Sequence, residues 1–465
     1  MNTRLCIRTI LLAASLVATP LAGAADLGSI YQQALKNDPL IREAEANRLA
    51  ARESKPQALS ALLPQLSAGG QYDDSESDGS GTTFVPDGLG GIEILTFDSQ
   101  SDSTQESWNV TLTQNVFRWQ NWVALQRADA QVAQAEADYH AAEQDLILRT
   151  SESYFNVLAA QDTLEAAQAA HDAIARQLEQ SEKRFEVGLI AVTDVQEAKA
   201  AFDSASAALI QAKRNLATAQ ERLRELTGST FDELTKPGAD MPLAGPDPAN
   251  AEDWVRLAMN QNSRLISSRL AADIARKDVS SERGGHLPFL DLVVRRSSFD
   301  FESDFTSGGF SGPRNSDSDD TTYSLQLTVP LFTSGATSSR VRQAQYLHTA
   351  ARERLERTAR ETERETRDAY LGVNSEVARV QSLRQAVESA KTALQATEAG
   401  YEVGTRTSVD VLEARRRLFD AQTNYARSRY DYLLNVLRLR LAAGTLDDQG
   451  IADINAILTE SVKVK

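Results

Sequence analysis

Four stretches of the 465-residue chain alternate apolar and polar residues with period two. Within 65–72, Leu66, Ala68, Gly70 and Tyr72 oppose Gln65, Ser67, Gly69 and Gln71. Within 107–117, Trp108, Val110, Leu112 and Val116 oppose Ser107, Asn109, Thr111, Thr113 and Asn115. Farther on, Leu290, Leu292 and Val294 oppose Asp291, Val293 and Arg295, and Tyr323, Leu325, Leu327, Val329 and Leu331 oppose Thr322, Ser324, Gln326 and Thr328. Such alternation predicts strands with one apolar and one polar face. A single strand of this kind belongs equally to a half-buried soluble sheet. Four of them, each about 9–11 residues long with Tyr72, Trp108 and Tyr323 near one end, fit membrane-barrel strands. Four strands cannot close a barrel, and an open edge is not tolerated in lipid. The chain is therefore expected to share its barrel with copies of itself. Two copies supply about eight strands and three about twelve, and both satisfy the minimum for closure.

The remainder reads as helix. Residues 119–187 contain neither proline nor glycine, a run of roughly 100 Å at 1.5 Å per residue. Residues 27–62 and 193–227 together match that length, as do 249–283 and 408–443 against 334–403. The match predicts a cylinder in which continuous helices alternate with stacked pairs. Small residues such as Ala124, Ala128 and Ala135 permit close approach, and Leu125, Ala128, Val132, Ala135, Tyr139, Ala142 and Leu146 keep a coiled-coil spacing.

The chain also repeats itself. Phe185-Glu186-Val187-Gly188 recurs as Tyr401-Glu402-Val403-Gly404, Asp194-Val195 as Asp410-Val411, Tyr154 as Tyr370 and Leu63-Pro64 as Leu287-Pro288, in the same order. Residues 25–227 and 249–443 are thus two repeats, each ordered helix, strand, strand, long helix, short helix. Gly188 and Gly404 mark the turns from long to short helix. Residues 228–248, with Pro237, Pro242, Pro246 and Pro248, read as an irregular connector, and 444–465 as a tail.

Composition narrows the class. The formal charge is −16, which argues against a nucleic-acid grip. The only cysteine, Cys6, excludes a disulfide scaffold, a cysteine zinc site and a CxxC centre. Arg4 and Arg8, the apolar run Ile10–Val17 and the small residues Ala22-Gly23-Ala24 predict a signal peptide over 1–24, cleaved after Ala24. The alternative, an uncleaved anchor, needs a run of about 20 apolar residues. Cleavage removes two arginines and takes the charge from −16 to −18.

No catalytic constellation emerges. His140, His171, His286 and His348 are scattered, and no P-loop, dinucleotide fingerprint or GxSxG elbow is present. No cofactor and no metal is expected. Asp74-Ser75-Glu76-Ser77-Asp78-Gly79 begins like a calcium loop but reaches Val85 where a bidentate carboxylate is required. Residues 73–106 and 300–320 are therefore expected to be polar external loops between paired strands.

The run Tyr401–Ala414, the stretch Arg184–Val195 and Ala442-Ala443-Gly444-Thr445-Leu446 resemble the TolC family of outer-membrane export channels through nearly the whole mature chain. The resemblance implies a mainly α fold: a homotrimer whose long α-helical barrel crosses the periplasm and continues into a shared twelve-stranded β-barrel in outer-membrane lipid. The connector and tail would form an equatorial region. It implies a Gram-negative outer-membrane location, and a passive exit for drugs or secreted proteins. The pump would be an inner-membrane transporter of RND, ABC or MFS type, reached through a periplasmic adaptor that touches the hairpin tips at Gly188, Leu189, Gly404 and Thr405. Asp410 and Glu413 share a helix face at spacing i, i+3 and would form a pore-entrance carboxylate ring. Tyr401 and Arg406 would latch onto Asp194 and Thr193. The competing reading is a periplasmic coiled-coil scaffold or adaptor without membrane strands, which leaves the four amphipathic strands unexplained and would be a soluble trimer with no detergent requirement.

Overall fold

The computed structural model describes residues 24–464 apart from 87, 89 and 239. The signal peptide expected over 1–24 lies outside the described residues except for Ala24. The chain divides into two compact units, one of 1–42, 144–254 and 366–465, the other of 43–143 and 255–365.

The second unit holds a four-stranded antiparallel sheet: β1 (Gln65–Pro86), β2 (Ile92–Phe117), β4 (Phe289–Ser307) and β5 (Phe310–Thr328), in the order β1-β2-β4-β5. Its register aligns what the alternation had separated. Leu66 pairs with Leu112, Leu112 with Val294, and Val294 with Tyr323. Leu292 pairs with Leu325 and Ala68 with Val110. Residues paired directly across antiparallel strands share a face, so the four apolar rows form one band on one side. The band is bare on the two edge strands, where Leu66 is 71% exposed, Tyr323 76%, Leu325 66% and Leu327 63%, and half-buried on the central ones at Leu112, Leu292 and Val294. It also slants. From the Leu66–Tyr323 rung it runs towards the hairpin tip on β1 and away from it on β5.

The strands are longer than the alternation indicates. Of the stretches expected to be loops, 73–86, 92–106, 300–307 and 310–320 are instead the outer reaches of the two hairpins, paired without interruption to Pro86↔Ile92 and to Ser307↔Phe310. Over most of this length Ser, Thr, Asp and Gly occupy both faces, and on β4 Phe299, Phe301 and Phe305 alternate with Asp300, Glu302 and Asp304 on the face opposite Leu290, Leu292 and Val294, so the pattern changes phase along the strand. Backbone ladders carry the pairing, reinforced by Ser75–Ser103 and Ser101–Ser303 hydroxyl contacts of 2.8 and 3.0 Å. Gly308-Gly309, both at positive φ, close the second hairpin in the two-residue turn that matches strand twist.

At the base of the sheet in this unit, the amides of Gln114, Asn115 and Asn121 donate to Leu62 and Ala61 carbonyls, satisfying acceptors left over where the helix α3 (Ser54–Ser60) ends. Arg118 reaches Asp291 at 3.1 Å.

The helical expectations hold with informative breaks. The long helices α4 (Trp119–Glu186) and α8 (Ala336–Glu402) and the short helices α5 (Val192–Thr227) and α9 (Ser408–Ala443) lie where the pattern puts them. The expected single helix over 27–62 is three: α1 (Leu27–Asn37), α2 (Pro39–Arg52) and α3. Pro39 forces Asp38 out of helical geometry, to ψ 122°, and Pro56 removes an N–H from the start of α3. The helix expected over 249–283 likewise splits into α6 (Ala251–Gln261) and α7 (Ser263–Arg283) at Asn262, whose side chain caps Leu265.

In the first unit the connector is less irregular than expected. It contributes β3 (Glu233–Pro237), which pairs antiparallel with β6 (Leu458–Lys463) of the tail, after the short helix α10 (Asp448–Asn455). Ala25 adds a parallel bridge to Leu234. The repeated tyrosines do the same work twice. Tyr154 donates its hydroxyl to the Thr235 carbonyl and lies 3.4 Å from that of Ala25, just before α1, while Tyr370 donates to Ala249, just before α6, at 2.8 Å. Burial pushes the Tyr154 phenol up. Burial also raises the Asp162 carboxyl, although Tyr430 donates to it at 2.6 Å and Lys236 stands nearby. Leu27, Ile30, Leu146, Leu158, Leu433 and Leu437 fill the core.

Leu433→Ala empties a fully buried site of α9 and should cost about 2–5 kcal/mol. A denaturation series should show the lowered midpoint, with the same substitution at exposed Leu327 as the control.

Candidate functional site

The two helical hairpin tips belong to the first unit. α4 ends in a turn in which Gly188 N–H donates to Phe185 and Leu189 N–H to Arg184, at 2.8 and 2.9 Å. α8 ends alike, with Gly404 N–H on Tyr401 and Thr405 N–H on Gly400, at 3.1 and 2.8 Å. Gly188 and Gly404 have φ of 75° and 80°, a left-handed conformation that a side chain disfavours. Both glycines face open space. Val187, Leu189 and Val403 stand beside them at 69%, 73% and 76% exposure, so each tip presents a small apolar knuckle.

The carboxylates begin the next helices. Thr407 caps α9: its hydroxyl accepts from Asp410 N–H at 3.2 Å, and the Asp410 carboxylate accepts from Thr407 N–H and Oγ1 at 2.9 and 3.0 Å. This is a reciprocal capping box. The backbone N–H of Thr407, then its hydroxyl, hold the Asp410 carboxyl below its ordinary value. Within one chain the direction is thus opposite to the upward shift that a ring of like charges produces. Glu413 points to Arg417 at 3.7 Å. The equivalent box on α5 is half built: Asp194 accepts from Ala191 N–H at 3.3 Å, but Ala191 has no hydroxyl to return.

The four expected latch residues are not all joined within a single chain. The Tyr401 ring lies under the Arg184 guanidinium, 5.0 Å from the centroid. Arg406 folds over Gly400, where a Cβ would stand 2.8 Å from the Arg406 Cγ; the bare helix backbone there makes room for it. Thr193 is exposed and Asp194 half-buried.

Sequence reasoning missed a further link between the two hairpins of the chain, near the tips. Arg415 of α9 pairs with Glu398 of α8 at 2.8 Å and donates to the Ala173 carbonyl of α4 at 2.9 Å. The signal was opposite charges on the two arms of one hairpin, facing across the turn at Gly404. Polar atoms of Gln177, Ser181 and Ser408 are buried without a hydrogen-bond partner within the chain.

Among the described residues no cluster of metal-ligating side chains occurs, and His140 and His171 pair with neighbouring carboxylates on the surface. The calcium-loop-like stretch at Asp74 is part of β1.

A family model described as outer membrane efflux protein matches residues 30–229 and 254–445. The outer membrane protein TolC of Vibrio cholerae is 37% identical over 450 residues, 95% of each chain. TolC of Escherichia coli is 36% identical over 448 residues, covering 95% of this chain and 87% of the other. The alkaline protease secretion protein AprF of Pseudomonas aeruginosa is 29% identical over 434 residues, covering 93% and 86%. Among solved structures, CusC matches with a TM-score of 0.73 at 18% identity, over 90% of this chain and 92% of that one. The Campylobacter jejuni CmeC outer membrane channel matches with a TM-score of 0.70 at 16% identity, over 98% of each.

Thr407→Ala should fray the start of α9 by about 1 kcal/mol and let the Asp410 pKa rise towards 3.8. Because the folded pKa is depressed, the cap's stabilisation is present above 3.8 and disappears as pH falls through the lower folded value. Amide exchange at 408–411 in the wild type and the variant reads both effects.

Proposed function

The chain belongs to the outer membrane efflux protein family, and from that membership we propose how it conducts. It is an outer-membrane efflux or secretion channel protein and not an enzyme. In the proposed reading three copies close a twelve-stranded barrel, helical hairpins reach through the periplasm, and the tips form a gated entrance.

One observation carries the membrane part: the in-register apolar band on one face of a sheet with two unpaired edges, bare on its edge strands. Strands β1 and β5 run in opposite directions, so β5 of one copy and β1 of the next continue the antiparallel order. The slant of the band fits closure as well. It moves by about four to five residues over three strand spacings, a tilt of roughly 45° for a 3.3 Å rise and 4.8 Å spacing, close to the tilt of membrane barrels. No helix among the described residues is long and apolar enough to cross a membrane. A periplasmic scaffold without membrane strands would leave this band facing water.

At the entrance, three copies of Asp410 and Glu413 would ring the narrowing and attract cations. Their neighbours set the poise: Asp410 is held ionised by its cap, and Glu413 is partly offset by Arg417. The closed state would rest on Tyr401 and Arg406 meeting Asp194 and Thr193 of an adjoining copy, and on Arg415 within a copy. Each hydrogen bond is worth about 0.5–1.5 kcal/mol. An adaptor seated on the knuckles at Gly188, Leu189, Gly404 and Thr405 has enough leverage to open such a contact. An inner-membrane pump of RND, ABC or MFS type would supply cargo and energy.

Asp410→Asn with Glu413→Gln should abolish cation selectivity and multivalent-cation block in planar-bilayer recording; unchanged selectivity would reject the ring. Tyr401→Phe with Arg406→Ser should raise resting conductance, and a current still at the closed level would place the latch elsewhere.

A further inference from the structure

The outer reaches of the hairpins sort their side chains by face. On the side that carries the apolar band, β1 presents Asp74, Glu76 and Asp78, and β4 presents Asp300, Glu302 and Asp304. The opposite side carries fewer charges, Asp73, Glu93, Arg314 and Asp320, and bears an aromatic column. Phe299, Phe301 and Phe305 follow one another along β4, with the Phe299 and Phe301 rings nearly parallel at 6.3 Å. Small or polar side chains flank each: Ser107 and Ser318 beside Phe299, Gln105 and Ser316 beside Phe301, Ser101 and Gly312 beside Phe305.

Between Phe301 and Phe305 the column is interrupted by Ser303, only 7% exposed, whose neighbour on β5 is Arg314. Ser303 is thus the floor of a notch with a phenyl ring at either end and a guanidinium at its side. Four residues of strand give it a length of about 13 Å. In these rungs Arg314 is the only cation on this face; the only carboxylate, Asp73, lies two strands from the phenyl column. A phenyl ring on a water-lined wall loses the benefit of burial, so a ridge of them beside serines is costly unless something covers it.

We propose that the Phe301–Ser303–Phe305 notch with Arg314 is a binding site for an amphipathic organic anion. The rings would stack on its flat apolar body and the guanidinium would pair with its carboxylate or sulfonate. Charge complementarity favours an anion over a cation, because Arg314 is the charged neighbour of Ser303, while the carboxylates of this face, Asp320 and Asp73, lie beyond the Phe299 rung and two strands away. That this face lines the conduit rests on the channel reading; the notch itself does not. The site would be a station near the exit, where cargo of this class lingers.

The test records single channels in planar bilayers with 1-pyrenesulfonate as the probe. Wild type should show transient current interruptions, at least tenfold longer than those caused by neutral 1-pyrenemethanol. Phe301→Ser with Phe305→Ser should abolish them, and Phe301→Leu with Phe305→Leu should shorten them while preserving apolar volume. Arg314→Gln should erase the difference between the two probes. Unaltered probe-free conductance and retained multivalent-cation block at the tip carboxylates certify that each variant is an assembled channel. Interruptions that persist in the double-serine channel, or equal dwell times for sulfonate and alcohol in wild type, overturn the site alone. A protein that never conducts overturns the channel reading and this site with it.

Discussion

An unfinished sheet governs the rest of this molecule. Four antiparallel strands bring their apolar side chains onto one face and leave two edges without partners. Water penalises the face, and lipid forbids the edges, since each unpaired backbone group there costs several kcal/mol. In the proposed channel both penalties are removed together, because identical copies would extend the sheet into a closed wall facing lipid.

The helices answer a different demand. They carry few special side chains; each repeat places one hairpin tip, at Gly188 and at Gly404. Tyr154 and Tyr370 tie the repeats at equivalent points, Asp38 and Asn262 break them at equivalent points, and Gly188 and Gly404 turn them identically. The tips differ where a gate would profit from asymmetry. One capping box is complete at Thr407–Asp410 and the other is half built at Ala191–Asp194. Arg415 secures the hairpins of one chain, while buried Gln177, Ser181 and Ser408 leave polar atoms unpaired within the chain.

Much of this was legible in the residues. The absence of proline and glycine over 119–187 located α4 almost to the residue, and the repeat located the turns. The apolar rows Leu66–Tyr72, Trp108–Leu112, Leu290–Val294 and Tyr323–Leu327 were visible as separate strands. Helix spacing puts Asp410 and Glu413 on one side of α9, and that much was legible in the sequence. Their partners were not. That Asp410 bonds to Thr407 and Glu413 to Arg417 depends on rotamers, and that Arg415 meets Glu398 and Ala173 depends on which helices become neighbours.

Local chemistry alone settled what the chain could read from its nearest neighbours: helix where backbone-compatible residues run unbroken, strand where polarity alternates, a stop where Pro39 denies a helical conformation to the residue before it. Tertiary structure decided what local chemistry leaves degenerate. Residues 73–86 and 311–320 are polar on both sides, so only the ladder to a distant strand makes them hairpin rather than loop. The pairing of β3 with β6 joins segments too short to show a period. The union of four apolar rows into one slanted band is a matter of register, and register is a property of pairs of strands.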